Sequence, residues 1–564
     1  MKPEKTKAQT GSAHIHHHNS IAEPGLLNAI ERFLNRNSSI LLGIALVLCA
    51  LFAAMLFDGR LSFATDDATY INNAYNLIHH GTYPTFQGAL YPFTLALLLS
   101  IFGMKLLLFK LFSLFFLLIQ IFILYKALKN RVPNLVLFAG LFTVSFNAYI
   151  LAYGSYTFSE SFFMMIQAIC LWAFFKLIDH LQQDSSLKTS LKWWLLYGFC
   201  FFLLSISKNA AVICSGIALV YFLARKEWKF AAFAIAFFLL FRVPYEVIAR
   251  AVFGNISSTQ TEMMLRKDFN DPSKGSADLG DFTDRFFENW GQYISTHTFK
   301  MLGLRGNGVP DLFTLEKMKE LQTPMEASGF YSLIFILFFG AALYYSYKYN
   351  KYIFFLILYV CGMSFFTFIA VHTLWNQDRF MVIYLPFILA IFVYTMYAFS
   401  KSEKGKFFQP IAAILAIIFV LVQLVGTLKE APKHSKFARK YMKGDEFYGY
   451  PQGLQNYTKA CRWTGENLPA DSGKILANRP VEGLVYGKRG MFVRIPKPVP
   501  TNADSALAFL KKSDVKYLMI DESNLGQIRA VAQVIATKYP EKINPEPVHV
   551  EGTLEPTAIY KLNY

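Results

Sequence analysis

The stretch Leu90-Tyr91-Pro92-Phe93-Thr94-Leu95-Ala96-Leu97-Leu98-Leu99-Ser100-Ile101-Phe102-Gly103 decides how the rest of the chain is threaded, because a second apolar run begins only two residues after it. Its 14 residues reach about 21 Å as a helix, against about 30 Å of bilayer hydrocarbon, and Pro92 stands near the start. Such a segment suits an interfacial or re-entrant helix better than a crossing. Eleven further apolar runs lie near 40–57, 105–128, 134–151, 161–179, 193–206, 210–224, 230–247, 330–347, 352–371, 380–399 and 409–428. Many are roughly 17–22 residues, long enough to span as helices.

Charge decides whether 90–103 crosses. Short cytoplasmic connections concentrate lysine and arginine. If 90–103 stays on one side, the inner face holds Lys2, Lys5, Lys7, Arg32 and Arg36 of the tail, Lys126/Lys129/Arg131, Lys188/Lys192, Arg225/Lys226/Lys229, Lys348/Lys351 and Lys401/Lys404/Lys406. The short outer connections then carry only Arg60, Lys208 and Arg379. Counting 90–103 as a span would turn every later basic loop outward. The expected architecture is therefore an α-helical polytopic membrane protein of about 11 spans plus interfacial helices. A cytoplasmic tail (1–39) precedes the membrane domain (40–428), whose external loops are 58–104, including the interfacial segment, and 248–329. A small extracytoplasmic α/β domain (429–564) follows. Strand-like runs at Lys516–Ile520 and Ala558–Leu562 alternate there with helical patterns near 503–512 and 523–538.

Composition agrees. Of 564 residues, 54% are hydrophobic and 17% aromatic, and the mean hydropathy of +0.33 is too high for a soluble chain of this length. The first run follows nearly forty polar residues and so is not placed like a cleavable signal peptide. The net charge of +17 is dispersed over loops, which fits membrane topology and excludes a nucleic-acid stripe. Five of the six cysteines (Cys49, Cys170, Cys200, Cys214 and Cys361) sit in apolar runs and Cys461 stands alone, so neither a disulfide framework nor a zinc spacing is present. His14, His16, His17 and His18 read as a tag-like tail. The sequence has no internal repeat, Walker loop or dinucleotide fingerprint.

The chemistry therefore falls to the outer loops. Thr65-Asp66-Asp67-Ala68-Thr69-Tyr70 follows the first span directly, and a helical pattern then runs to His79-His80-Gly81. Thr65 or Asp66 can serve simply as a helix cap. Alternatively, a carboxylate at the membrane surface can act as general base toward an acceptor hydroxyl, and paired acids can raise one pKa or hold a cation. A second acid, Glu160, follows Ser159 at the mouth of the 161–179 run, where it reads either as part of an N-terminal cap or as a site residue. Lys208 and Arg379 are outer-rim cations, suited to snorkelling, to a local pair such as Asp378 with Arg379, or to binding a phosphate and stabilising a leaving group. His372 and Trp375 read as interfacial anchors or as sugar contacts. The long loop carries Glu262, Asp268, Asp271, Asp281, Asp284, Trp290 and His297 with Gly303, Gly306 and Gly308, and is placed to close over a substrate.

The order of these features resembles the GT-C superfamily of polyprenyl-phosphate-sugar-dependent glycosyltransferases, particularly protein O-mannosyltransferases and lipid A aminoarabinose transferases. Asp66, Asp67 and Tyr70 form an acid-acid-x-x-Tyr pattern, followed by a helix ending at Gly81, Leu90-Tyr91-Pro92, Phe102-Gly103 and a long span. The resemblance implies Asp66 as catalytic base with Asp67 beside it, Glu160 facing it across a cavity, Tyr70 and Tyr91 near substrate, and Arg379, with Leu385-Pro386 behind it, beside Lys208 on the donor phosphate. It further implies an inverting transfer, without nucleotide, from a polyprenyl-phosphate sugar to a protein or glycolipid acceptor. A divalent cation held by Asp66, Asp67 and Glu160 is compatible with that picture. One departure is plain. Related transferases often carry a basic residue and a Pro-Pro pair before the Leu-Tyr segment, whereas this chain reads Phe86-Gln87-Gly88-Ala89. A lipid-linked oligosaccharide ligase or polymerase, a lipid-linked sugar flippase and a non-catalytic sensor are the rival readings.

Overall fold

The computed structural model describes residues 25–63, 65–269, 271–305, 326–375, 377–521 and 526–563. The histidine-bearing tail, Gly306, Gly308 and the start of the expected 523–538 helix lie outside the described residues. Among those described, eight helices are long and apolar enough to cross a bilayer: Ser38–Met55, Leu106–Leu128, Ser159–Gln183, Leu187–Ser207, Trp228–Phe253, Gly329–Tyr349, Lys351–Ala370 and the last one within Gly405–Met442. Four shorter apolar helices (Leu90–Phe102, Asn134–Phe146, Asn209–Ala224 and Leu385–Lys401) complete the set of runs seen in the sequence. The chain is thus a polytopic helical membrane protein with a small carboxyl-terminal sheet.

Burial separates the bundle's centre from its rim. In Ser159–Gln183, 83% of the apolar window is buried, whereas in Trp228–Phe253 only 17% is. The central helix packs between Leu106–Leu128 and Leu187–Ser207, with Phe162 against Phe116 and Phe174 against Phe201. The peripheral helix turns Leu239, Leu240, Val243, Val247 and Ile248 outward. Such a face is costly in water and suited to lipid.

Leu90–Phe102 has 13 residues, about 20 Å of helix, and lies against Asp66–His80. The two are joined by the non-helical segment 81–89. Gly81, at φ +60, ends the first helix in a left-handed conformation that a side chain would resist. Asp66–His80 buries a stripe at Asp67, Tyr70, Ile71 and Ala74, the i, i+3, i+4 spacing of one helix face.

The carboxyl-terminal sheet has five strands, β1 (Lys474–Leu476), β2 (Phe492–Val493), β3 (Val515–Asp521), β4 (His549–Glu551) and β5 (Thr557–Lys561), in the order β2-β1-β3-β5-β4. β1 is parallel to β2 and β3, whereas β5 is antiparallel to β3 and β4. Helix Ala503–Lys512 matches the expected bounds and Gln527–Lys538 covers most of the second pattern. The last apolar helix does not stop near 428 but runs on to Met442 through Pro432, so residues 429–442 extend the bundle. The terminal region docks on the first loop. Tyr450 Oη donates to the Leu61 carbonyl at 2.6 Å, Leu61 N–H donates to Tyr486 Oη at 3.3 Å, and Gly490 N–H donates to Tyr75 Oη at 3.2 Å.

Candidate active site

Asp66 and Asp67 sit side by side at the start of a helix but face different surroundings. Thr65 occupies the cap position with φ +62 and makes no side-chain cap bond, so the simple capping role is not what this turn performs. Asp67 is fully buried. Its Oδ2 accepts from Ser62 N–H at 2.8 Å, and its Oδ1 accepts from Ser62 Oγ and Ala68 N–H at 3.0 Å each. Burial pushes its carboxyl up to about 6, against the opposing pull of Lys110 and these donors. Asp66, by contrast, ion-pairs through Oδ2 with Nη1 of Arg379, and both side chains retain some exposure, 19% and 14%.

Glu160 and Lys208 form the second pair. Lys208 Nζ donates to Glu160 Oε1 at 2.7 Å, while the buried Oε2 has no hydrogen-bond partner among the described residues. Burial pushes the Lys208 ammonium down and Glu160 pulls it back, leaving it lowered. Glu160 is therefore no mere cap constituent. Ser159 Oγ instead bonds Tyr70 Oη at 2.9 Å, tying the first-loop helix to the central span.

Both pairs border one cavity of about 640 Å³, lined by Glu160, Lys208 and Arg379 together with Gln87, Gly88 and Tyr384. Gly88 approaches the backbone of Ser207 and Lys208 so closely that a Cβ would lie 2.4 Å from the Ser207 carbonyl, so this first-loop contact requires glycine. The expected rim of Asp66, Glu160, Lys208 and Arg379 thus comes together, although it is drawn from positions spread over more than 300 residues.

Four expectations need correction. Arg379 does not pair with its neighbour Asp378, because Asp378 bonds Nδ1 of His297 and leaves the guanidinium to Asp66. Burial pushes the Asp378 carboxyl up, but His297 outweighs it and the carboxyl sits below its usual range. Tyr70 and Tyr91 face the packed interior, where their rings meet edge to face at 5.0 Å, and neither lines the cavity. His372 and Trp375 are covered by the long loop: His372 Nε2 lies 3.2 Å from the Arg266 carbonyl and the Phe269 ring meets Trp375 at 4.5 Å. Finally, Asp66, Asp67 and Glu160 do not form a cation cage. Each carboxylate faces a different partner, and no group of three or more carboxylate, imidazole or thiol side chains converges among the described residues.

Residues not singled out in the sequence also line the cavity. Arg242, Tyr245, Glu246 and Arg250 project from Trp228–Phe253. Arg242 Nη2 lies 2.6 Å from Glu246 Oε1, and Tyr83 Oη bonds Tyr245 Oη at 2.6 Å. The available signal was an Arg and a Glu four residues apart near the end of an apolar run, where ionisable groups are costly.

The arrangement of helices, first-loop acids and terminal sheet can be compared with known structures. The undecaprenyl-phosphate-bound ArnT of Cupriavidus metallidurans superposes with a TM-score of 0.52 at 11% identity, covering 93% of this chain and 97% of that one. The chain has the GT-C fold. The apo oligosaccharyltransferase AglB of Archaeoglobus fulgidus superposes at 0.51 and 15% identity over 89% of this chain and 72% of its own. The same protein in complex with an inhibitory peptide and a dolichol-phosphate gives 0.50 at 14% identity over the same shares. No protein-family model and no curated protein matches the sequence.

Proposed function

We propose that this GT-C chain is an integral membrane glycosyltransferase that moves a sugar from a polyprenyl-phosphate-linked donor to an acceptor hydroxyl on a protein or glycolipid. The reading places the amino terminus in the cytoplasm, the terminal domain outside, and the protein in the inner (plasma) membrane. The observation that carries it is the rim of one cavity on which Arg379 and Lys208 sit beside Asp66 and Glu160. Solved GT-C structures bound to undecaprenyl phosphate and to dolichol-phosphate support a lipid phosphate as donor carrier.

Asp66 takes the acceptor proton as the acceptor oxygen bonds to the anomeric carbon. The bond from that carbon to the phosphate oxygen breaks, and its electron pair leaves on the phosphate, whose charge Arg379 and Lys208 stabilise. Attack opposite the leaving group inverts the anomeric centre. A donor phosphate at Arg379 competes with Asp66 for the same guanidinium, so donor binding frees the base. Glu160, with one oxygen on Lys208 and one without a partner, is placed to orient the acceptor.

Transfer from a radiolabelled polyprenyl-phosphate sugar by the purified full-length protein, compared with Asp66→Asn, tests the reading. Loss of transfer in the variant supports it, whereas unchanged transfer removes the proposed base. Translocation of lipid-linked sugar without transfer would identify a flippase, and transfer confined to preassembled glycans would identify a ligase.

A further inference from the structure

The outer face of Trp228–Phe253 is apolar and exposed at Val243, Val247 and Ile248. Its inner face carries Arg242, Glu246 and Arg250, which at i, i+4 and i+8 form a single stripe along the cavity wall. Three ionisable groups at the end of an otherwise apolar helix are costly unless a ligand or water uses them. The Arg242–Glu246 pair is not sealed, with side chains 24% and 38% exposed. Arg242 Nη1 reaches Ser205 Oγ only at 3.4 Å, and Arg250 has no side-chain hydrogen bond or ion pair among the described residues. Across the cavity the first loop supplies Tyr83, Pro84, Thr85, Gln87, Gly88 and Ala89, and no lysine or arginine occurs between Arg60 and Lys105. An anion entering between that loop and this helix therefore meets positive charge from the helix alone.

We propose that Arg242 and Arg250 form a recognition subsite for a lipid-borne phosphate on the membrane-facing wall, apart from the Arg379 and Lys208 centre. The inference deepens the glycosyltransferase reading and rests on it. The apolar outer face offers a track for a hydrocarbon tail, while the stripe receives the phosphate to which that tail is attached. Glu246 occupies Arg242 until the phosphate arrives, so the carboxylate is a competitor of the ligand.

The test is binding of a polyprenyl phosphate to the full-length protein in lipid nanodiscs, with polyprenol and inorganic phosphate as competitors. Arg242→Gln and Arg250→Gln are each expected to weaken binding about tenfold, the scale of one lost charge-assisted hydrogen-bonding group. Glu246→Gln is expected to bind at least as tightly as the unaltered protein, an outcome that a purely structural ion pair would not give. Arg250 touches no side chain that its loss would disturb, so its variant guards against misfolding. Neither competitor should displace the ligand at matched concentration, and equal displacement by inorganic phosphate would assign the subsite to free phosphate and overturn the lipid assignment. Unchanged binding in Arg242→Gln and Arg250→Gln, with loss in Arg379→Gln, overturns this subsite and leaves the parent reading standing. Failure of the unaltered, folded protein to bind overturns both.

Discussion

Two charge clusters lie within a short stretch of the first loop and have the same composition, two acids and two bases. The outer one, Asp66, Arg379, Glu160 and Lys208, borders the cavity with partly exposed cations. The inner one is Asp58, Arg60, Asp67 and Lys110, all buried. Asp58 and Arg60 pair at 2.7 Å, the Arg60 guanidinium lies 4.5 Å from the Phe437 ring, and Lys110 Nζ donates to the Ser155 carbonyl at 2.8 Å. A charge that can exchange its partner has to remain reachable, while one that shapes a loop is satisfied only when every lone pair is occupied. Adjacent residues with identical side chains can therefore do opposite jobs.

The sharpest way to break this contrast is Asp66→Asn. Activity should fall by about 10²–10⁴-fold, the range for losing a general base, with the thermal midpoint almost unmoved. If stability falls and activity survives, the outer cluster is scaffold too. Arg379→Gln should cost about 10²–10³-fold in turnover, read in the same transfer assay, because it removes the main stabiliser of the leaving phosphate. Asp67→Ala should instead destabilise by about 3 kcal/mol, seen in thermal unfolding in detergent, by stranding the Ser62 and Ala68 donors and a buried Lys110.

Asp67 also provides a pH test. Its folded-state carboxyl is raised to about 6 from 3.8, so its contribution to stability is fully present below about 3.8 and lost as pH rises through 6. The stability of the unaltered protein relative to Asp67→Asn should therefore fall as pH rises across that window, and a flat difference would mean that the carboxyl is not desolvated. The smallest effect expected is for Lys208→Gln, about tenfold in turnover, since Arg379 still holds the phosphate.

Much of the scaffold could be read in advance because it rests on local patterns. Run length separated Leu90–Phe102 from true spans, and Gly81 marked the end of the first-loop helix. The acids Asp66 and Glu160 and the cations Lys208 and Arg379 were legible from scarcity, since ionisable groups are few on the outer rim. What escaped was pairing over long separations. Nothing local says that Asp378 turns to His297, 81 positions away, or that the loop at Arg266 and Phe269 covers His372 and Trp375. Tyr70 and Tyr91 matched a familiar motif but serve it from behind, through Ser159 and the aromatic core. Arg242 and Glu246 were hidden by the apolar average of the run that contains them.

The docking of Tyr450, Tyr486 and Gly490 onto Leu61 and Tyr75 has a consequence for biogenesis. The turn that presents the proposed base is braced by residues translated some four hundred positions later. A chain halted after its final membrane helix would own every rim charge and still lack the strut beneath Asp66, so competence is expected to arrive only once the exported terminal domain has folded back.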